Sequence, residues 1–270
     1  MTLRDAGDLH VEVRGEGEPT VVLVHAGITD CTLWDREFAA LSERGRVVRY
    51  DVRGFGRSAE PDGDYFDHDD LLAVMDATGA RTAVLVGASN GGRIVLDAAL
   101  SAPDRVLGLV LVGSALPGTP ISPELEALFD AEDAALAAGD IAFAHEINMG
   151  LWIDGAGRGP GDVAADVRRR AAAWLAAVLP RQAEQIARQA GDAGLLSPPL
   201  RERLGDITVP TLVVVGVHDI PYTRLAAQDL ARLIPHSRLT VVDGAAHLVN
   251  VEQPDAFERA LEGFLSQFAA

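Results

Sequence analysis

Three side chains in this 270-residue sequence stand in an order that nucleophilic acyl chemistry could use: Ser89, Asp219 and His247. Ser89 lies in Gly87-Ala88-Ser89-Asn90-Gly91, between an apolar run that stops at Val86 and a helix-compatible run that resumes after Gly92. At a strand-to-helix turn, G-x-S-x-G spacing forces the apical serine into strained backbone angles and aims its hydroxyl out of the sheet. The helix that follows offers orphan N–H groups to developing negative charge. A serine hydroxyl attacks a carbonyl only when a base takes its proton and an acid orients that base. Asp219 comes three residues after Gly216, which ends an apolar run, and His247 closes a Gly-Ala-Ala-His turn after another. Each of the three therefore lies just past the C-terminal end of an expected strand, the edge where ligands collect in open α/β sheets. Asp243, four residues before His247, is the alternative orienting acid, although closing the preceding strand or turn accounts for it.

The elements that must position these residues follow from periodicity. Residues 8–14 alternate as a half-exposed strand, and Thr20 to His25 is almost wholly apolar, as in a parallel strand covered on both faces. A loop and helix follow over 30–41 with Trp34, Phe38 and Leu41 on one face, then a short strand at 46–50. Asp67 to Thr78 reads as an amphipathic helix stopped by Gly79. The strand from Ala83, the helix at 90–101 and the strand Val106 to Val112 continue the alternation. From Ser114 the pattern changes: residues 115–206 hold Pro117, Pro120 and Pro123 and then Ala-rich helical segments near 124–138, 140–150, 162–178 and 181–192. Strand 211–215, helix 223–233, strand 238–242 and helix 254–268 close the chain. The expectation is a mostly parallel central sheet with helices on both faces. The core would comprise 1–114 and 207–270, with 115–206 as an inserted helical cap.

Composition narrows the function. A net charge of −17 disfavours nucleic acid and anionic membrane surfaces as partners, because both need a basic face. All 23 basic residues are Arg, which excludes a Schiff-base lysine, a Ser-Lys dyad or a phosphate-loop lysine. The single cysteine, Cys31, forms no internal disulfide or Cys-rich metal site. With no apolar leader at the start and no run of 18 apolar residues, a cytoplasmic protein is expected, either a monomer or a homodimer.

The chain resembles the α/β-hydrolase superfamily, and within it the capped esterase, enol-lactonase and cofactor-free haloperoxidase-like branch. The resemblance rests on H-A-G…W at 25–34, D-V-R-G-F-G-R-S at 51–58, G-A-S-N-G-G at 87–92, A-P-D-R-V at 102–106, G-V-H-D at 216–219 and G-A-A-H at 244–247. It implies an α/β-hydrolase fold, a Ser89-His247-Asp219 triad without metal or organic cofactor, and an oxyanion hole from the backbone N–H groups of Gly27 and Asn90. Ala26 stands where relatives usually have glycine, and Asn90 where many have methionine. Serine at 89 argues against the dehalogenase and epoxide hydrolase chemistry that uses a carboxylate there.

The expected activity is hydrolysis of a small-molecule carboxylic ester or lactone. Hydrolytic C–C cleavage and perhydrolase or haloperoxidase-type chemistry are alternatives on the same triad, and a ligand receptor without turnover is the alternative from another class. His25, Phe143, Met149, Trp152 and Trp174 are candidate substrate-binding residues. Asp51, Arg53 and Arg57 read as a structural knot of turn and ion pair, and Asp67-His68-Asp69-Asp70 as an acidic helix start complementing the dipole.

Overall fold

The apolar runs of the chain assemble into a seven-stranded sheet in the computed structural model, which describes residues 8–268. Its strands are β1 (Val11–Arg14), β2 (Thr20–Val24), β3 (Val47–Tyr50), β4 (Ala83–Ala88), β5 (Val106–Val112), β6 (Thr211–Gly216) and β7 (Ser237–Val242). They lie in the order β1-β3-β2-β4-β5-β6-β7. Only β1 runs antiparallel, pairing Val11 with Tyr50, and every other neighbour pair is parallel. This is an α/β-hydrolase fold, as the motifs imply. Strands β2, β3, β4 and β6 are buried along their whole length. Strands so nearly apolar, Arg49 of β3 being the one charged residue in the four, need a covered sheet on both sides.

Helices supply that cover. On one face α2 (Asp67–Thr78), α3 (Asn90–Ser101) and α8 (Pro221–Leu233) pack Leu71, Val74, Ile94 and Leu230 against Val22, Val24 and Leu85. On the other, α1 (Asp35–Ser42) and α10 (Pro254–Leu265) bring Phe38, Phe257 and Leu261 onto Leu23, Val84 and Val86. The alternation of side chains along each strand puts neighbouring valines on opposite faces. Burying one side chain of this size contributes about 1.5–3 kcal/mol. Gly79, at φ +71°, caps α2 as expected.

Between β5 and β6 the chain is helical: α4 (Pro123–Ala138), α5 (Ile141–Asn148), α6 (Ala165–Arg188) and the short α7 (Leu200–Arg203). The short α9 (Val249–Glu252) precedes α10. Two expectations are corrected here. The segments expected at 162–178 and 181–192 are one 24-residue helix, α6, running through Pro180 and ending at Arg188. An internal proline costs about 3 kcal/mol. Burial of Val167, Ala171, Trp174, Leu175 and Val178 along one stripe offsets it. The helix expected over 140–150 stops at Asn148 and passes into a π-helical turn, Met149–Asp154, which carries Trp152. Such turns are rare and recur at functional sites. Among the described residues no helix is long and apolar enough to cross a membrane.

Candidate active site

Ser89 sits between β4 and α3 at φ +53°. A non-glycine residue rarely adopts that conformation, and the surroundings impose it. Its N–H donates to the Val112 carbonyl at 2.8 Å, and its own carbonyl accepts from Ala115 N–H at 3.0 Å. The flanking glycines allow the turn to close. A Cβ on Gly87 would lie 2.2 Å from the Gly91 carbonyl oxygen, and one on Gly91 would lie 2.4 Å from that of Val24. Both distances are far inside van der Waals contact, so each position tolerates only glycine.

Asp219 and His247 meet at the same sheet edge. His247 Nδ1 donates to Asp219 Oδ2 at 3.0 Å, while Asp219 Oδ1 accepts from Ile220 N–H at 2.8 Å. Asp219 is fully buried and His247 nearly so. The pair rests on the backbone of Gly113, where a Cβ would stand 3.2 Å from His247 Nδ1 and 3.3 Å from Asp219 Oδ2. Gly113 directly follows Val112, whose carbonyl accepts the Ser89 N–H, so the Asp219–His247 pair and the Ser89 turn meet neighbouring residues at the end of β5. With Nδ1 committed to the carboxylate, Nε2 is the nitrogen left to exchange a proton. Asp243, the alternative acid, is exposed.

The turn that carries His247 is fixed from below. Glu252 Oε1 accepts from Ala246 N–H at 2.7 Å, and its other oxygen pairs with Arg158 at 2.8 Å. Burial pushes the Glu252 carboxyl up, while the Ala246 N–H and Arg158 pull the other way. Arg158 also donates to the carbonyls of Ile153 and Asp154 at 2.9 and 2.8 Å, joining the π-helical turn to the histidine turn.

Gly27 and Asn90 face one another across the elbow, a Cβ on Gly27 standing 3.7 Å from Asn90 Cβ. Gln182 of α6 reaches the Gly27 carbonyl at 3.3 Å. The Asn90 side chain accepts from Arg93 Nε at 2.9 Å. Arg93 is buried in α3 between Asp97, at 2.7 Å, and Asp67 of α2. Burial pushes both carboxyls up, and the guanidinium opposes it. Sequence reasoning missed Arg93 and Gln182: neither belongs to a motif, and only the packing of α2 and α6 brings them here.

The five substrate-binding candidates separate. Trp152 stays at the site, its ring centroid 4.4 Å from that of His247 and 6.2 Å from Phe129 of α4, nearly parallel to the latter. His25 is corrected: Nδ1 donates to the Ala26 carbonyl at 2.8 Å and Nε2 accepts from Val52 N–H at 2.9 Å, so both nitrogens hold loops. Burial pushes its pKa down, keeping it neutral. Phe143 is corrected too; it is 46% exposed on α5 and joins no part of the site. Trp174 is buried, donates to Thr32 Oγ1 at 2.9 Å and lies under Arg170, so it anchors α6 to the loop before α1. Met149, the first residue of the π-helical turn, is buried in an apolar cluster with Ala144 and Ile153. Two clefts border the arrangement. One of about 820 Å³ lies between α4 and α6, lined by Phe129, Glu132, Gln182 and Gln185, and one of about 400 Å³ is lined by Leu125, Leu151, Ile220 and Tyr222.

The knot at 51–58 forms, with Arg57 Nε 3.8 Å from the Asp51 carboxylate, and it draws in partners from outside the motif. Asp51 accepts the N–H groups of Cys31 and Arg57, both at 2.8 Å, whereas Arg53 forks onto Asp70 and Arg57 reaches Glu12. Asp67 and Asp70 are thus ion-pair partners rather than a dipole complement alone. Among the described residues, His10, Cys31 and Asp51 bring three potential metal ligands within 4.8 Å of one another. They do not fit a metal: the carboxylate is occupied by two N–H groups, and burial and that carboxylate push the thiol up, opposite to the thiolate a metal requires.

Comparison with known proteins places the chain. The profile of the alpha/beta hydrolase family matches residues 21–260. A protein of Caulobacter sp. (strain K31), provisionally named carbamate hydrolase RutD, is 32% identical over 97% of both chains. The 3-oxoadipate enol-lactonase 1 of Acinetobacter baylyi is 27% identical over 98% of this chain and 96% of its own. The crystal structure of bromoperoxidase from Bacillus anthracis superposes with a TM-score of 0.80 at 25% identity, covering 96% of this chain and 95% of that one.

Proposed function

Since the chain belongs to the α/β-hydrolase family, we propose that it cleaves a carboxylic ester or lactone through an acyl-enzyme on Ser89. The observation that carries this reading is the 3.0 Å Asp219–His247 pair set on Gly113, next to Val112, whose carbonyl holds the N–H of a serine at positive φ. His247 Nε2 takes the Ser89 proton as Oγ attacks the substrate carbonyl carbon. The backbone N–H groups of Gly27 and Asn90 receive the oxyanion, where one donor is worth about 3–4 kcal/mol of barrier. Collapse breaks the C–O bond, and His247 returns the proton to the departing oxygen. Water, deprotonated by His247, then attacks the acyl carbon, and Ser89 regains its proton. Asp219 holds the tautomer and stabilises the imidazolium throughout.

In this reading residues 115–206 act as a cap over the core formed by 1–114 and 207–270. The carbamate hydrolase relative extends the class of carbonyl to carbamates, whose cleavage uses the same groups. Replacement of Ser89 by alanine is the test. Loss of p-nitrophenyl ester and lactone hydrolysis together with loss of fluorophosphonate labelling is expected. A fully active, still labelled Ser89→Ala protein refutes the proposal.

A further inference from the structure

Trp152 packs against the imidazole of His247. Its ring lies 4.4 Å from the His247 ring, tilted by 41°, with Phe129 stacked behind it at 6.2 Å. The two residues come from segments nearly a hundred positions apart, yet one bridge ties them together. Arg158 donates to the carbonyls of Ile153 and Asp154, next to Trp152, and pairs with Glu252, which holds the Ala246 N–H next to His247. The imidazole is therefore confined on three sides: Asp219 at Nδ1, the bare backbone of Gly113 beneath, and the indole across its face.

We propose that Trp152 is a positioning residue for His247, holding the ring in register and stabilising its imidazolium form through the indole π-face. The proposal rests on the triad reading of the preceding subsection. A cation against an indole face gains more as water is excluded, and His247 is 5% exposed. The groups facing His247 separate the indole's contribution from other charges. Asp219 comes from the loop after β6, Ser89 from the elbow, Gly113 contributes only backbone, and Glu252 of α9 has its charge matched by Arg158. Among the described residues Asp219 is the one carboxylate hydrogen-bonded to His247, and neither of its own bonds involves Trp152. Trp152→Leu then removes the π-face while keeping the ring covered, and Trp152→Phe keeps a smaller one.

The experiment follows His247 directly and independently of turnover. The imidazole is titrated by NMR in a Ser89→Ala background carrying Trp, Phe or Leu at 152, and the pH profile of kcat/KM on a p-nitrophenyl ester is measured with Ser89 present. The expected result is a His247 pKa that falls in the order Trp, Phe, Leu, by about half a unit or more for Leu. The acid limb of kcat/KM moves to lower pH with it, and kcat falls for Leu but is largely retained for Phe. If Trp152→Leu does not fold, Trp152→Met takes its place, since methionine fills the same space without a π-face. An unchanged titration in the non-aromatic variant overturns the proposal, as does a change confined to KM. Absence of ester hydrolysis with the graded titration intact refutes the proposed function but leaves the effect of Trp152 on His247 standing.

Discussion

Alanine at position 113 tests the packing beneath the Asp219–His247 pair. Gly113 has φ +51°, in the left-handed region. An L-residue there costs about 1–2 kcal/mol. The added methyl would meet His247 Nδ1 at 3.2 Å and Asp219 Oδ2 at 3.3 Å, the two atoms of the hydrogen bond. Neither can retreat freely, because the indole of Trp152 covers the imidazole and Ile220 N–H holds the carboxylate. The pair must move by a few tenths of an ångström. A 1 Å misplacement costs about 100-fold in rate, so a shift of this size corresponds to roughly tenfold in kcat, or about 1.4 kcal/mol of barrier. Thermal unfolding of a chain this long responds by about 2 °C per kcal/mol, which places the loss of Tm at about 2–4 °C. The assay pairs steady-state kinetics on a p-nitrophenyl ester with differential scanning calorimetry. Gly205→Ala serves as control, because its Cβ would meet nothing within 4 Å and its φ lies outside the left-handed region. A Gly113→Ala protein with unchanged kcat and Tm would refute the reasoning that the pair rests on this backbone.

Asp219→Asn is expected to lower kcat by roughly 10³–10⁴ while the protein stays folded by circular dichroism, whereas Asp243→Asn stays within about twofold. Equal losses in both would show that Asp219 is not the orienting acid. Burial pushes the Glu37 carboxyl up to about 7, with its own backbone N–H and a 3.4 Å contact from Asn250 in partial compensation. Between its ordinary value of 4.5 and that value, the folded protein keeps a proton that the unfolded chain releases. Stability therefore falls as pH rises through this window, by on the order of 3 kcal/mol in total. Glu37→Gln does not titrate there, so its Tm should gain about 5 °C on wild type between pH 4.5 and 7.5; parallel Tm curves would contradict the assignment. Cys31 is buried and its thiol pushed up. The native protein should resist Ellman's reagent at pH 8 and react on unfolding, and prompt native labelling would contradict that burial.

Much of the fold is legible along the chain because it depends on local pattern. The strand 106–112 and the helices 67–78 and 90–101 occur where apolar periodicity and glycine or proline stops put them. The G-x-S-x-G turn likewise follows from nearby sterics, since Gly87 and Gly91 are required by contacts within and beside the turn itself. Pro180 misleads for the same reason. A local rule breaks the helix there, but the buried stripe of α6, a tertiary gain, outweighs it.

The elbow serine and the order of acid and histidine are thus properties of the sequence. What surrounds them was decided by packing between segments far apart in the chain. Spacing leaves Asp243 open as an alternative to Asp219; burial of Asp219 and exposure of Asp243 separate them. His25 and Trp152 both read as pocket residues, yet hydrogen bonds to Ala26 and Val52 tie up one while the π-helical turn sets the other against the His247 imidazole. Arg93, Gln182 and the Arg158–Glu252 bridge carry no motif at all. Sequence pattern records what neighbouring residues do to one another's backbone. Which distant side chains share a buried charge or a ring face is settled only when helices far apart in the chain pack against one another on the sheet.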